Sequence, residues 1–339
     1  MPAAGEPANP EPPRAVSSDA MVEQVEQSLL GGPYRYTRAE AAAAAGVSRE
    51  RGQQIWLALG FPATDEDCAV FTDEDVAALR AFEGLIASGK IAPADAVPHV
   101  RAIGQAMSRL ADWQVREIMT RLAAEAGDDE AARMALAAEL TGTLLPVVQE
   151  LQAYTWRRHL AAAIARLLPA SSQQLSTATM ITGFADIVGY TSRVRHTDIS
   201  ELGALLESFE ENAAETIVSH RGRVVKSLGD EVLFAVDAPA DAAEIAVRLS
   251  DWGQDLRDLP QLRVGMALGR VLTRLGDVYG PAVNVASRLT SLARPGTVLV
   301  DRELAGALDG VPGYRLAPRR PATVRGYHHL RSWSLRRAR

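Results

Sequence analysis

The sequence predicts an α+β protein: an all-helical N-terminal region followed by a ferredoxin-like βαββαβ unit. Three observations predict it. Residues 21–165 are Ala/Leu/Glu/Arg-rich, with apolar residues three and four apart, as in Val76, Leu79, Phe82 and Ile86. The texture changes after residue 178, where short β-like runs replace the Ala-rich stretches. The order of those runs and the helices between them is that of the split βαβ motif.

Each element follows from local pattern. Residues 1–20 are Pro-, Ala- and Glu-rich without apolar periodicity and are expected to form a disordered tail. The helical domain is expected over 21–168. It is punctuated at Gly31-Gly32-Pro33, Phe61-Pro62, Lys90 to Pro93 and Gly127-Asp128-Asp129. Leu144 to Leu168 reads as one long helix, and residues 169–178, PASSQQLSTA, as a polar linker. The second domain, 179–339, opens with a strand over 179–187 and a helix at about 198–219. RVVKSLGDEVLFAV, residues 223–236, reads as a hairpin turning at Gly229-Asp230. A helix at about 238–256 and a strand over 262–271 complete the motif, with the first strand expected beside the second and third.

Composition narrows the function classes. The chain has 339 residues, a net charge of −6 and a pI near 5.6, so it is not a general polyanion binder. Its one cysteine, Cys68, forms no intrachain disulfide, and no Cys/His cluster has zinc spacing. No apolar run approaches a membrane span, and the N-terminus has no secretory pattern; a cytoplasmic protein is expected. Among 36 basic residues only Lys90 and Lys226 are lysine. A chain that writes its cations as arginine has reason to keep a lysine where arginine would not serve.

Two carboxylates draw attention. Asp186 ends the first strand and Asp230 sits at the hairpin turn, so a ferredoxin-like sheet can bring them together. Converging carboxylates either share a proton at a cost or hold a cation. Oxygen-only ligands suit Mg²⁺ or Mn²⁺. Taken alone, the same residues read equally as a solvated turn and a helix cap.

They do not stand alone. Phe184-Ala-Asp-Ile-Val-Gly-Tyr-Thr191, Lys226-Ser-Leu-Gly-Asp230-Glu and Asp277-Val-Tyr-Gly-Pro-Ala-Val-Asn284-Val-Ala-Ser-Arg288 occur in this order over the second half. Together they resemble the three motifs of the class III nucleotidyl cyclase catalytic domain. The resemblance implies that Asp186 and Asp230, with Ile187 between strand and metal, bind two divalent cations, Mg²⁺ or Mn²⁺. It implies that Lys226 and Asp277 read the purine, and that Asn284 and Arg288 orient the ribose and stabilise the transition state. Arg270 and Arg325 resemble contacts to the triphosphate. The implied reaction is attack of the ribose 3′-hydroxyl on the α-phosphorus of ATP, giving 3′,5′-cyclic AMP and pyrophosphate. Adenine fits because Lys226 can donate to N1 and Asp277 can accept from the 6-amino group. The family also implies a homodimer with active sites shared between subunits. Gly280-Pro281 and the short step from Arg270 to Asp277 resemble its compact bacterial members. The alternative is a DNA-binding or ATP-sensing regulator with a non-catalytic cyclase fold.

In the first half, Tyr36 to Ser48, Trp56 to Pro62 and Phe71 to Val76 resemble the helix-turn-helix start of MerR-type regulators. The second helix of that segment offers few extra cations and precedes the acidic Asp65, Glu66 and Asp67, so DNA binding by it is not expected. A regulatory role is expected for the helical domain. The long helix, with Arg157, Arg158 and His159 near its middle, is the candidate transmitting element, and acidity is one candidate signal.

Overall fold

The computed structural model describes residues 18–127, 129–168, 177–195, 197–253 and 260–338. The chain separates into two compact units that meet in sequence at Ala161 and Ala162. The expected tail lies outside the described residues up to residue 17, and Ser18 to Ala20 already belong to a helix. The expected linker lies outside them from 169 to 176; residues 177 and 178 belong to a strand.

The first unit is helical: α1 (Ser18–Leu29), α2 (Arg38–Ala45), α3 (Arg49–Ala58), α4 (Asp73–Ala87), α5 (Pro93–Ala126) and α6 (Glu130–Leu167). All four punctuation sites fall between helices. Side chains close the helix starts. Thr37 and Glu40 form a reciprocal capping box on α2, Ser48 caps α3, and Thr72 and Asp75 form a second box on α4. Gly46 ends α2 at φ 76°, a left-handed conformation that glycine adopts without Cβ strain. The small cores are Ala41, Ala45, Phe71 and Val76, and Ile55, Ala58 and Val100. The long helix starts at Glu130 rather than at 144. Thr141, Gly142 and Thr143 weaken helix propensity locally, and Pro146 removes one amide, but the Ala/Leu/Glu runs on either side carry the helix through.

The second unit contains the expected motif as β1 (Thr177–Ile187), α7 (Tyr190–Arg193), α8 (Ile199–Ser219), β2 (Arg223–Ser227), β3 (Glu231–Val236), α9 (Pro239–Asp251) and β4 (Leu262–Arg274). Beyond it lie β5 (Asp277–Tyr279), α10 (Pro281–Leu292), β6 (Thr297–Val300), α11 (Arg302–Ala307), β7 (Tyr314–Pro318), β8 (Ala322–Val324), β9 (Tyr327–Leu330) and β10 (Trp333–Arg337). Helix α9 ends five residues before the expected boundary, with Trp252 extended and Gly253 at φ 76°.

The main sheet runs β2-β3-β1-β4-β6-β10-β7, with β5 on β4. This corrects the expected neighbours. β1 pairs with β3 and β4, while β2 is an edge strand reached only through β3. In a split βαβ the hairpin's second strand returns beside β1, which displaces its first strand to the edge.

Alternation along β1 divides the core between the sheet faces. Ile181, Ala185 and Ile187 join Phe209, Ile217, Ile245 and Leu249 of α8 and α9. Met180 and Phe184 join Leu233, Ala267, Val271, Ala282 and Ala286 on the α10 face. Helix α10 packs directly on β4 at Gly265, where an added Cβ would lie 2.1 Å from the Thr290 amide nitrogen. Among the described residues, no helix is long and apolar enough to cross a membrane.

Candidate active site

The ladder sets the first group of side chains. Asp186 stands opposite Glu231 of β3 and Arg263 of β4. Directly opposed residues share a face, and Asp186 follows Phe184 by two, so all three belong to the α10 face. The hairpin tip is tied to the strand end by the Ile187 amide donating to the Asp230 carbonyl at 2.9 Å. The structure therefore brings together Asp186, Ile187 and Asp230. It adds two residues that the sequence reading left without a role, Glu231 and Arg263. Strand pairing alone could have flagged Arg263, because a cation opposite a buried aspartate is a cross-strand partner.

Electrostatics at this end are dominated by crowded negative charge. The Arg263 guanidinium donates to Asp186 Oδ2 at 2.5 Å, and the carboxylate is 8% exposed. Burial raises the Asp186 carboxyl above its ordinary range. Arg263 opposes that, and Asp230 adds to it. Glu231 is pushed up to about 7 by burial and then by Asp186 and Asp230. A carboxylate cluster held this way favours a proton or a cation.

Among the described residues, no group of three or more His, Cys, Asp or Glu forms a closed metal cage. Two carboxylates and the Ile187 carbonyl suit instead a Mg²⁺-like ion that keeps open positions for phosphate oxygens. The donor chemistry fits divalent cations and does not choose between Mg²⁺ and Mn²⁺.

A second group forms around β2 and β5. Lys226 Nζ donates to Asp277 Oδ2 at 2.6 Å. Lys226 lies opposite Leu233 just past an irregularity in the β2–β3 register, and Asp277 opens β5 after a tight turn at Leu275-Gly276. Burial raises the Asp277 carboxyl, but Lys226 and the Val278 amide outweigh it and hold it below the usual range. Two residues 51 positions apart in sequence thus form one polar pair.

Asn284 and Arg288 lie one turn apart on α10 and share a face. Asn284 is exposed and Arg288 partly buried, and Arg288 makes no ion pair among the described residues. The two expected triphosphate contacts are not gathered with these groups. Arg270 lies seven residues past Arg263 on a strand without a bulge, and so projects from the opposite face. Arg325 is exposed at the two-residue turn between β8 and β9, beside Gly326 at φ 89°.

Comparison with known proteins places the chain. Residues 170–337 match the family described as the adenylate and guanylate cyclase catalytic domain. An adenylate cyclase of Streptomyces coelicolor is 41% identical over 86% of this chain and 76% of its own. An adenylate cyclase of Glutamicibacter nicotianae is 35% identical over 93% of this chain and 82% of its own. A pH-sensitive adenylate cyclase of Mycobacterium tuberculosis is 29% identical over 88% and 78%. Because these matches span both units at such identity, the chain belongs to the class III adenylyl cyclase family.

Proposed function

We propose that this chain converts ATP to 3′,5′-cyclic AMP and pyrophosphate at sites shared by two copies of itself. The observation that carries the base assignment is the Lys226–Asp277 pair at 2.6 Å. A fixed cation beside a fixed carboxylate offers a donor for adenine N1 and an acceptor for the 6-amino group. Guanine presents the reverse order. Substrate entry would exchange their mutual contact for contacts to the base.

Asp186 and Asp230, with the Ile187 carbonyl, are the oxygen donors that would hold the divalent cations. Such ions acidify a bound hydroxyl and neutralise triphosphate charge. Arg263 bonds Asp186 in the free chain. It would release that carboxylate on loading and remain as a fixed cation beside the phosphates. Arg288 supplies a guanidinium on rigid α10, where charge developing at phosphorus is best met by a preorganised donor. Asn284, one turn away, would orient the ribose. Arg270 and Arg325 remain candidates for the triphosphate from a partner copy.

Two copies are favoured because one chain carries both sets of groups, so a two-fold arrangement generates two equivalent sites. The helical unit is proposed to regulate turnover through α6. His159 is exposed on that helix, in the range where histidine changes charge near neutral pH. The relatedness to a cyclase described as pH-sensitive supports acidity as the signal.

Incubating the purified protein with ATP and Mg²⁺ or Mn²⁺ tests the reaction, with chromatography resolving 3′,5′-cyclic AMP. Cyclic AMP formed from ATP, and not cyclic GMP from GTP, is expected. Absence of product with both metals would refute the assignment. A His159→Gln chain whose rate profile across about pH 5.5 to 8 matches the parent would remove the histidine from the regulation.

A further inference from the structure

Away from the proposed catalytic groups, the second unit contains an open cleft of about 710 Å³ that shares no lining residue with them. Its volume falls in the range of small-molecule sites, roughly 300–1,000 Å³. Its floor is the stripe where β6, β10 and β7 run side by side. Ser334 stands between Leu299 of β6 and Ala317 of β7. One wall is the C-terminal end of α10, with Leu292 and Arg294, and the other is the β7–β8 connection, with Arg319 and Arg320.

The charge of this cleft is one-sided. Arg294, Arg319, Arg320 and Arg336 all line it, and none makes an ion pair among the described residues. No Asp or Glu occurs after Asp309 in a chain whose net charge is −6. A second observation points the same way: Arg336 of β10 stands directly opposite Arg315 of β7 in the ladder. Like charges directly opposed across strands are destabilising. By contrast the next residue, Arg337, is neutralised by Glu244 at 2.6 Å, which is held down to about 2 by that contact and its other hydrogen bonds. The β10 strand therefore pairs its arginine on one face and leaves the neighbouring one, on the cleft face, uncompensated. The serine hydroxyl of Ser334 and the Thr297 residue at the rim add polar groups between the cations.

We propose that this cleft binds a small soluble molecule carrying two or more phosphate charges, at a site separate from the cyclase centre. Guanidinium forks bind phosphate oxygens bidentately and charge-assisted. Leu292 and Leu299 offer apolar surface to the remainder of a nucleotide-sized ligand. An anion seated between Arg315, Arg336 and the Arg319–Arg320 wall would relieve the cross-strand repulsion.

The probe is inorganic pyrophosphate, titrated calorimetrically into the full-length protein in a chelator, so that metal-dependent binding at the carboxylate end is silent. Three chains are compared: the parent, Arg319→Gln/Arg320→Gln and Arg325→Gln. Binding to the parent, weakened at least about tenfold in the double variant and unchanged in Arg325→Gln, is expected. No binding to the parent would overturn the proposal. Equal weakening in both variants would also overturn it, by showing a diffuse basic field. Flotation with phosphatidylglycerol and phosphatidylcholine vesicles separates the sources of phosphate. Capture by the anionic vesicles without pyrophosphate binding would assign the arginines to a lipid surface and refute the soluble ligand.

Discussion

The two units bury apolar residues very differently. In the sheet unit, Ile181, Phe234, Ile245, Leu249, Leu262 and Met266 are all completely buried, and helices cover both faces of the central strands. In the helical unit, α6 runs over 38 residues without one buried side chain among those described, and Trp156 on it is 65% exposed. Helix α5 buries Ala96, Val100 and Leu122 while Trp113 and Met119 stand more than half exposed. The lesson concerns where precision is enforced. The sheet unit fixes its polar groups through strand register against a dry core. The first unit relies on caps and short contacts among α2 to α5.

The difference can be broken or sharpened by substitution. The largest effect is expected from Gly265→Ala, because the new methyl would meet the backbone of α10 at 2.1 Å. It should destabilise the sheet unit by about 3 kcal/mol or leave it unfolded, as read by urea denaturation. Near-parental stability would mean that α10, and the Asn284 and Arg288 it carries, is loosely held.

Next in size is the purine pair. Lys226→Glu with Asp277→Cys should lower cyclic AMP formation on the order of 100-fold, since each buried polar group left unpaired costs about 1–3 kcal/mol. Circular dichroism should show the fold unchanged. ATP turnover like the parent's would remove both residues from base reading.

Glu231 gives a pH-dependent effect. Its carboxyl is pushed up to about 7, against an ordinary 4.5. The folded chain keeps this proton where the unfolded chain has lost it. Its contribution is therefore neutral below the unfolded value, becomes unfavourable as pH rises, and is fully unfavourable above about 7. Without metal, Glu231→Gln should be more stable than the parent by roughly 2 kcal/mol at pH 8 and equal to it at pH 4. A gain at pH 4, or none at pH 8, would place Glu231 outside the shared field of Asp186 and Asp230.

The smallest effects belong to the helical unit. Thr72→Ala removes a buried capping box on α4 and should cost about 1 kcal/mol. Trp156→Ala, on an exposed face, should change stability by less than about 0.5 kcal/mol. A larger loss at Trp156 would show that its face is covered in solution.

The sequence made some of this legible and hid the rest for physical reasons. The βαββαβ order, the helix breaks and the convergence of Asp186 with Asp230 follow from local patterns that the fold preserves. Strand adjacency did not follow: chain order places β2 next after β1, whereas the hairpin returns β3 to its side. Glu231 and Arg263 were missed because their roles arise from register, which brings residues 77 positions apart into contact. Lys226 and Asp277 were readable only through the resemblance, since nothing local links β2 to β5. The seven strands and ribbons after α9 other than β4 were not anticipated, and the arginine-lined cleft is built from them. The extended start of α6 was obscured by a Thr-Gly-Thr segment that the helix passes through.

The most direct test of a site shared by two copies mixes Asp186→Ala with Lys226→Ala. One chain lacks a metal carboxylate and the other a base reader, so each alone should be nearly inactive. In a mixed pair, the intact Asp186 and Asp230 of one copy would face the intact Lys226 and Asp277 of the other, completing one of the two sites. Recovery of cyclic AMP formation on mixing, towards a quarter of the parental rate if subunits exchange at random, is the predicted result. No recovery in samples shown by mass spectrometry to have exchanged subunits would contradict it.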